Sequence, residues 1–534
     1  MKRFVGLIFF VLSIFSFSID EVEMEQRRKS QRDFEDFIKT QTTTGEKTKK
    51  IQSSKELVLN IKNVTLDGNT LLQNFQIHRI LRKYIGENKN VYSLIKELED
   101  TYIEKGYITT RVGLDLEKSD LESGNMSLFV LEGKIEKIFY DGEENITKTF
   151  ITFPQRADKI LNIRDLDQGM DNLTDHSTMD IKPASKEGYS NIFIKKKNKP
   201  FILFLNYNDL GQSGTGRHRL KYSLHLHNVI GMNETIDSSF QMKMQRQKKD
   251  RNAENFSVST SIPFKNWSFH YAYDNSETFR TIYAHKRKYK ATGRTINQNF
   301  EIRNVIYRNE DHKVDFGGKI TLKDSKNYID DIRLITGSRK LSVFTLNSSH
   351  TGRAFSGLIH SSLGVSFGLK KYGANQDAEE WYREDTTPKA QFRKYNLEVS
   401  WYKAIQKLYY KMNVGAQYSK DILYSQEKIS IGDDTTVRGF QDESIQGDSG
   451  IYLRNEVGYK GLDIIEPFLA YDYGKIKNNK IREDRYEVVQ GVAIGVKLSL
   501  KGFEGSIVTA KPIDRPEYFK HKKPVMYTSL SYRF

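Results

Sequence analysis

From about residue 200 to the end, apolar and polar residues alternate with a period of two, and the polar set is repeatedly charged. Leu220, Tyr222, Leu224 and Leu226 alternate with Lys221, Ser223, His225 and His227. Phe240, Met242 and Met244 alternate with Gln241, Lys243 and Gln245. Val492, Ile494, Val496, Leu498 and Leu500 alternate with Gly491, Ala493, Gly495, Lys497 and Ser499. This is the period of strands, with one apolar face and one wet face. A soluble sandwich also alternates. Here the polar face carries Lys, Arg and His, strands reach roughly ten residues, and aromatics make up 12% of the chain, a pattern of lipid outside and water inside. Only helices and closed barrels span a bilayer, because every backbone group must be paired. The predicted fold is therefore an all-β transmembrane barrel over 200–534. At roughly 20 residues per strand and connection it has about 16 antiparallel strands. A lipid-facing charge would cost about 2–4 kcal/mol at the midplane, so the charged face is the lumen.

The N-terminal region obeys other rules. Lys2 and Arg3 precede an apolar stretch over residues 4–17, and Ser16-Phe17-Ser18 offers small residues for cleavage. Residues 1–18 read as a secretory signal peptide. No internal apolar run reaches 18 residues, which excludes a multi-span helical membrane protein. Residues 19–39 are rich in helix formers, lack Gly and Pro, and hold few apolar residues (Val22, Met24, Phe34, Phe37, Ile38). Such a helix suits a water-filled channel, or a solvated or disordered N-terminal arm, rather than a dry core. Residues 40–55 read as a linker. The chain has no cysteine, so no disulfide supports it. Its 84 basic and 68 acidic residues leave a net charge of +16. The basic residues are dispersed over strand faces instead of gathered in a stripe, which argues against nucleic acid and for lipopolysaccharide phosphates and secreted partners.

Two units of similar order lie between. Over 56–136, Leu57, Leu59 and Ile61 mark a strand. Phe75, Ile77, Ile80, Leu81 and Tyr84 mark a helix, and Leu94, Leu98 and Tyr102 a second, stopped by Gly106. Strands over 108–116 and 126–131 follow. A second unit, bounded at 137–199, is led by the strand Lys134-Ile-Glu-Lys-Ile-Phe-Tyr140 and continues with a helix near 161–173 and two closing strands, 178–184 and 190–197. The repeat suggests a tandem α+β module.

Four stretches then carry a family resemblance. They are Tyr102-Ile-Glu-Lys-Gly-Tyr-Ile-Thr-Thr-Arg-Val112 with Leu131-Glu-Gly-Lys-Ile135; Ile160-Leu-Asn-Ile-Arg-Asp-Leu-Asp-Gln-Gly-Met-Asp-Asn-Leu173; Asn208-Asp-Leu-Gly-Gln-Ser-Gly-Thr-Gly-Arg217; and Val437-Arg438-Gly439-Phe440, followed by Gly450-Ile-Tyr-Leu-Arg-Asn-Glu456 and Pro467-Phe-Leu-Ala-Tyr-Asp-Tyr-Gly474. In this order they resemble the two-partner secretion transporters of Gram-negative outer membranes, which export haemolysins and filamentous adhesins. The resemblance implies two periplasmic POTRA domains before the barrel. It implies a loop that folds into the lumen, where Val437, Arg438, Gly439 and Phe440 meet Asp472 and Gly474. It also implies that the second POTRA helix, through Ile163, Leu166, Met170 and Leu173, recognises the secretion domain of a partner exoprotein. The sequence departs from the family's pattern at Pro183-Ala184, where Pro-Gly is usual, and at Asp433, where a second Gly often follows Gly432.

The function expected is export of a large unfolded partner through the barrel. The 19–39 helix plugs the pore at rest, and folding of the passenger outside drives movement. The chain lacks the Gly-x-x-x-x-Gly-Lys-Ser/Thr loop of nucleotide hydrolases. Outer-membrane lipid and lipopolysaccharide surround the barrel, the barrel-assembly machinery inserts it, and it acts as a monomer. The rival reading is an outer-membrane assembly factor, which also carries POTRA repeats and an Arg-Gly-Phe loop. No cofactor, metal or catalytic residue is expected. Gly447-Asp-Ser-Gly450 matches the string around a serine nucleophile, but its nearest histidine context, Tyr283-Ala-His-Lys286, lacks the companions a triad needs. His225 and His227 share a strand face without accompanying carboxylates or cysteines and read as lumen lining.

Overall fold

The computed structural model describes residues 17–43, 57–173, 177–196, 201–244, 250–284, 287–335, 337–377, 387–479, 486–520 and 523–534. The expected signal peptide and linker fall almost wholly outside these residues. Helix α1, Phe17–Thr43, runs past its expected end at 39 into the expected linker. No Gly or Pro lies between Phe17 and Gly45.

The first POTRA domain packs α2 (Asn74–Lys83) and α3 (Val91–Glu104) on a sheet in which Asn125–Leu131 lies between Asn63–Asp67 and Arg111–Leu114. Leu94, Leu98 and Tyr102, four residues apart, are fully buried, as the helical period predicts. Asn90 caps α3 by accepting from the Ser93 amide at 3.2 Å, and Gly106 follows its end at φ +97°. The strand expected over 108–116 shrinks to Arg111–Leu114, because Thr110 N donates to Tyr107 O in a turn.

In the second domain Lys134–Tyr140 pairs parallel with Tyr189–Lys195, which pairs antiparallel with the edge strand Thr178–Pro183. The whole strand from Lys134 belongs to this sheet, so the boundary lies at Gly133 rather than 136. Helix α4, Ile146–Thr152, was not expected. Its β-branched residues favour a strand, but Asn145 caps it by accepting from Lys148 N at 2.8 Å. Helix α5, Ile163–Leu173, carries Gly169 where a Cβ would sit 2.0 Å from the Phe153 ring, so only glycine lets the helix approach.

Sixteen long strands then close into an antiparallel barrel, from Phe201–Asn208 to Val525–Arg533, which pair from Phe204↔Arg533 to Asn208↔Ser529. A two-residue extension, Ile332–Arg333, adds to one hairpin. Outward residues such as Phe300, Ile302, Leu469 and Ile494 are exposed, forming the lipid-facing belt. Strands Trp267–Ala284, Arg287–Arg308 and His312–Ile329 run 18, 22 and 18 residues, longer than expected. Their pairing continues beyond the belt, where β-branched and charged residues can face water on both sides.

The second POTRA domain seats on short barrel turns. Asn172 Nδ2 donates to Thr152 O and to Lys265 O, each at 2.7 Å. Asp171 accepts from Lys313 at 3.0 Å and from Arg308. Asn233 Nδ2 donates to Thr152 Oγ1 at 2.7 Å, and the Phe150 and Phe264 rings meet edge to face at 5.9 Å.

Candidate functional site: a loop and a helix inside the barrel

The connection over 420–448 leaves one strand, Leu408–Ser419, and returns to the next, Ser449–Tyr459, by way of the lumen. Its local chemistry makes a compact tip. Gly432 takes φ +120°, and the Asp433 carboxylate accepts from the amides and hydroxyls of both Thr435 and Thr436 at 2.7–2.9 Å. The aspartate thus closes the turn with its own side chain. Val437 and Phe440 enter an apolar cluster with Ile429, Ile431, Ile476, Val489 and Phe519.

Arg438, between them, is 1% exposed, and Asp472 on the wall strand Ile465–Lys477 is 0% exposed. Arg438 Nε donates to Asp472 Oδ2 at 2.7 Å and Nη2 to Oδ1 at 2.8 Å, a two-pronged pair. Nη2 also donates to Asn455 O at 3.0 Å, and Nη1 to Glu456 at 3.3 Å. The Arg438 amide donates to Asp472 Oδ2 at 3.0 Å, so the carboxylate holds backbone and side chain together. Phe468, on the same inward face as Asp472, lies 5.8 Å beneath the guanidinium. That explains why apolar residues share a lumenal face here: they floor the arginine's pocket.

Glycines admit the loop to the wall. Gly439 has φ +105°, and a Cβ there would lie 2.9 Å from the Lys511–Pro512 peptide. A Cβ on Gly474 would lie 2.5 Å from Ile431, and one on Gly491 only 1.9 Å from Arg438 O. Tyr527 Oη donates to Phe440 O at 2.9 Å and accepts from Gly439 N at 3.1 Å. The roles of Glu456, Tyr527 and Gly491 were missed from sequence. Glu456 had a signal, since it alternates inward with Tyr452 and Arg454 on its strand.

Helix α1 lies in the same lumen. Arg28 pairs with Asp434 of the loop at 2.6 and 3.0 Å, and Gln31 Nε2 donates to Thr435 O at 2.9 Å. Against the wall, Glu25 meets Lys221 at 3.0 Å, Glu35 meets Lys411 at 2.6 Å, and Lys39 meets Glu504 at 2.7 Å. Its few apolar residues, Phe34, Phe37 and Ile38, pack on Leu358, Tyr402 and Tyr409.

The four residues expected to receive the partner sit differently. Leu166 and Leu173 are 0% and 1% exposed, and Ile163 and Met170 pack against the same core. Leu166 and Leu173 thus belong to the core of their own domain, while Ile163 and Met170 stay half-buried at its edge. Gly447-Asp-Ser-Gly450 is also structural: Asp448 accepts from the Leu423 and Asn479 amides, each at 2.8 Å, and Ser449 Oγ donates to Ser419 O at 3.1 Å. His225 Nδ1 lies 2.6 Å from Asp237 Oδ1 in the barrel wall.

The family profile described as haemolysin secretion/activation protein ShlB/FhaC/HecB matches residues 188–498. The chain belongs to this family. A ShlB-type POTRA profile matches 59–133 and a second POTRA profile 134–183. Among similar proteins, the outer membrane transporter CdiB of Dickeya dadantii is 27% identical, covering 86% of this chain and 84% of its own. The hemolysin transporter protein ShlB of Serratia marcescens is 26% identical, covering 85% and 81%. The solved structure of CdiB from Escherichia coli superposes with a TM-score of 0.83 at 24% identity, over 92% of this chain and 93% of that one. The protein is thus an outer-membrane transporter of the two-partner secretion type, with its POTRA domains in the periplasm.

Proposed function

We propose that this transporter passes a large exoprotein of adhesin or haemolysin type, unfolded, through its barrel. Helix α1 plugs the resting pore and withdraws during transport. The observation that carries this reading is the position of α1. It contributes no strand to the wall, lies in the lumen, and is held by side-chain bonds to the loop and to several strands. Such contacts can be exchanged for water or for a passing chain without breaking the wall's hydrogen-bonded ring.

The POTRA domains capture the partner's N-terminal secretion domain. The edge strand Thr178–Pro183 supports this, because it offers unpaired backbone groups to an extended segment. The Arg438–Asp472 pair serves as the latch that holds the loop in register with the wall. The barrel works as a monomer in lipopolysaccharide-bearing membrane, after insertion by the barrel-assembly machinery. The test is ion conductance in planar bilayers. Removing residues 19–43 should raise the potassium chloride conductance, and an unchanged conductance would reject the plug.

A further inference from the structure

The loop over 420–448 meets the barrel at a second buried charge, on a part of the wall remote in sequence from Asp472. Glu427 lies in a short 3-10 turn, Ser425–Glu427, and its side chain is 2% exposed. Lys323 Nζ, from strand His312–Ile329, lies 2.7 Å from Glu427 Oε1. Lys394 Nζ, from strand Arg393–Ile405, lies 2.8 Å from Oε2. The same two lysines donate to the Gln426 and Glu427 carbonyls at 3.2 and 3.1 Å, and Gln417 Nε2 donates to Glu427 O at 2.9 Å. One carboxylate therefore lies between two ammonium groups carried by the seventh and tenth barrel strands. The Arg438 site rests on the twelfth and thirteenth. The loop is tied across the lumen at both ends of its inward run.

We infer that Glu427 is a positioning residue, a second anchor that keeps the first half of the loop against the wall independently of Arg438. Two features set its character. The charge count is uneven: two cations share one anion, so neutralising Glu427 leaves two ammonium groups facing each other as well as breaking the contact. The contact is also formed by flexible lysines rather than a two-pronged arginine, so it releases more readily than the Arg438 pair. A loop held at two points opens in two steps, the lysine-held end first. Loss of one anchor frees only its own segment.

Hydrogen exchange of the full chain in lipid nanodiscs tests this, and it reads the loop directly whether or not any protein is exported. Glu427→Gln should speed exchange of the amides over 427–431 by about tenfold while leaving 437–440 protected, and Arg438→Ala should do the reverse. The double change should expose the whole segment. The triple reversal Glu427→Lys with Lys323→Glu and Lys394→Glu places one cation between two anions and should restore protection. Lys323→Gln with Lys394→Gln provides a second route to the same release if Glu427→Gln does not fold, folding being read from heat-modifiable gel mobility. The inference is overturned if neutralising either partner set in a folded barrel leaves exchange over 427–431 unchanged. It is equally overturned if one change at either end frees the entire loop. Failure of the export reading would appear instead as loss of the conductance rise on removing residues 19–43.

Discussion

Replacing Arg438 by alanine removes a guanidinium that makes four side-chain hydrogen bonds and leaves Asp472 fully buried with its charge unmatched. Breaking a buried pair by deleting one partner costs about 3–5 kcal/mol. Two remaining donors soften the loss, the amides of residue 438 at 3.0 Å and Asn455 at 3.3 Å, so the low end applies. About 3 kcal/mol multiplies the detached-loop population by roughly a hundredfold. Glu456 is not orphaned, because Lys497 and the Tyr409 hydroxyl still contact it. The assay is the amount of partner exoprotein released to the medium, normalised to folded barrel in the membrane. Arg438→Ala and Asp472→Ala should each lower release. The exchange Arg438→Asp with Asp472→Arg should recover only part of it, for two geometric reasons. An aspartate at 438 would face Glu456, and an arginine at 472 would stand opposite Arg454, its register partner. Parental release by both single variants, with the barrel folded, would refute the latch.

Gly491→Ala should mimic Arg438→Ala, because the added methyl would lie 1.9 Å from Arg438 O; the same release assay reads it. Tyr527→Phe deletes one donor to Phe440 O and one acceptor for Gly439 N, a loss of about 1–3 kcal/mol, measurable as faster exchange at 439–440. Asn172→Ala removes the 2.7 Å donor to Lys265 O and leaves only Gln168 Nε2 at 3.3 Å, so it should loosen the seat of the second POTRA domain by about 1 kcal/mol, read by limited proteolysis between domain and barrel. Asp171→Asn should cost only about 0–1 kcal/mol, since that carboxylate is half exposed. Burial pushes the Asp171 carboxyl up, but Lys313 and Arg308 outweigh it and hold it below the ordinary carboxylate range. Its contribution is therefore complete above that range and lost as pH falls through the lowered value, so proteolysis rates should be flat from neutral pH to about 5.

Much of the fold is legible in the residues because strand alternation and helix period are local. Leu94, Leu98 and Tyr102 announce a helix face without reference to anything distant, and Lys221 or Lys497 must point away from lipid wherever the strand lies. The site is legible only in part. Arg438 and Asp472 stood out through resemblance, while Glu456 and Tyr527 looked like ordinary wall residues. The apolar stripe of α5 shows the limit most clearly: Ile163, Leu166, Met170 and Leu173 have the same spacing whether they face a partner or a core, and the packed domain takes Leu166 and Leu173 into its core while leaving Ile163 and Met170 half-buried.

Taken by itself, the chain's sequence determines that residues beyond about 200 form a closed wall with lipid outside and charge inside, because backbone pairing and the cost of lipid-facing charge leave no other arrangement. It also determines two α+β modules and a polar N-terminal helix. Only the tertiary structure decides what fills the lumen. Whether Glu427 meets Lys323 and Lys394, or Arg28 meets Asp434, depends on side chains 104, 33 and 406 residues apart in sequence. Those meetings depend on register and closure, which no local period encodes.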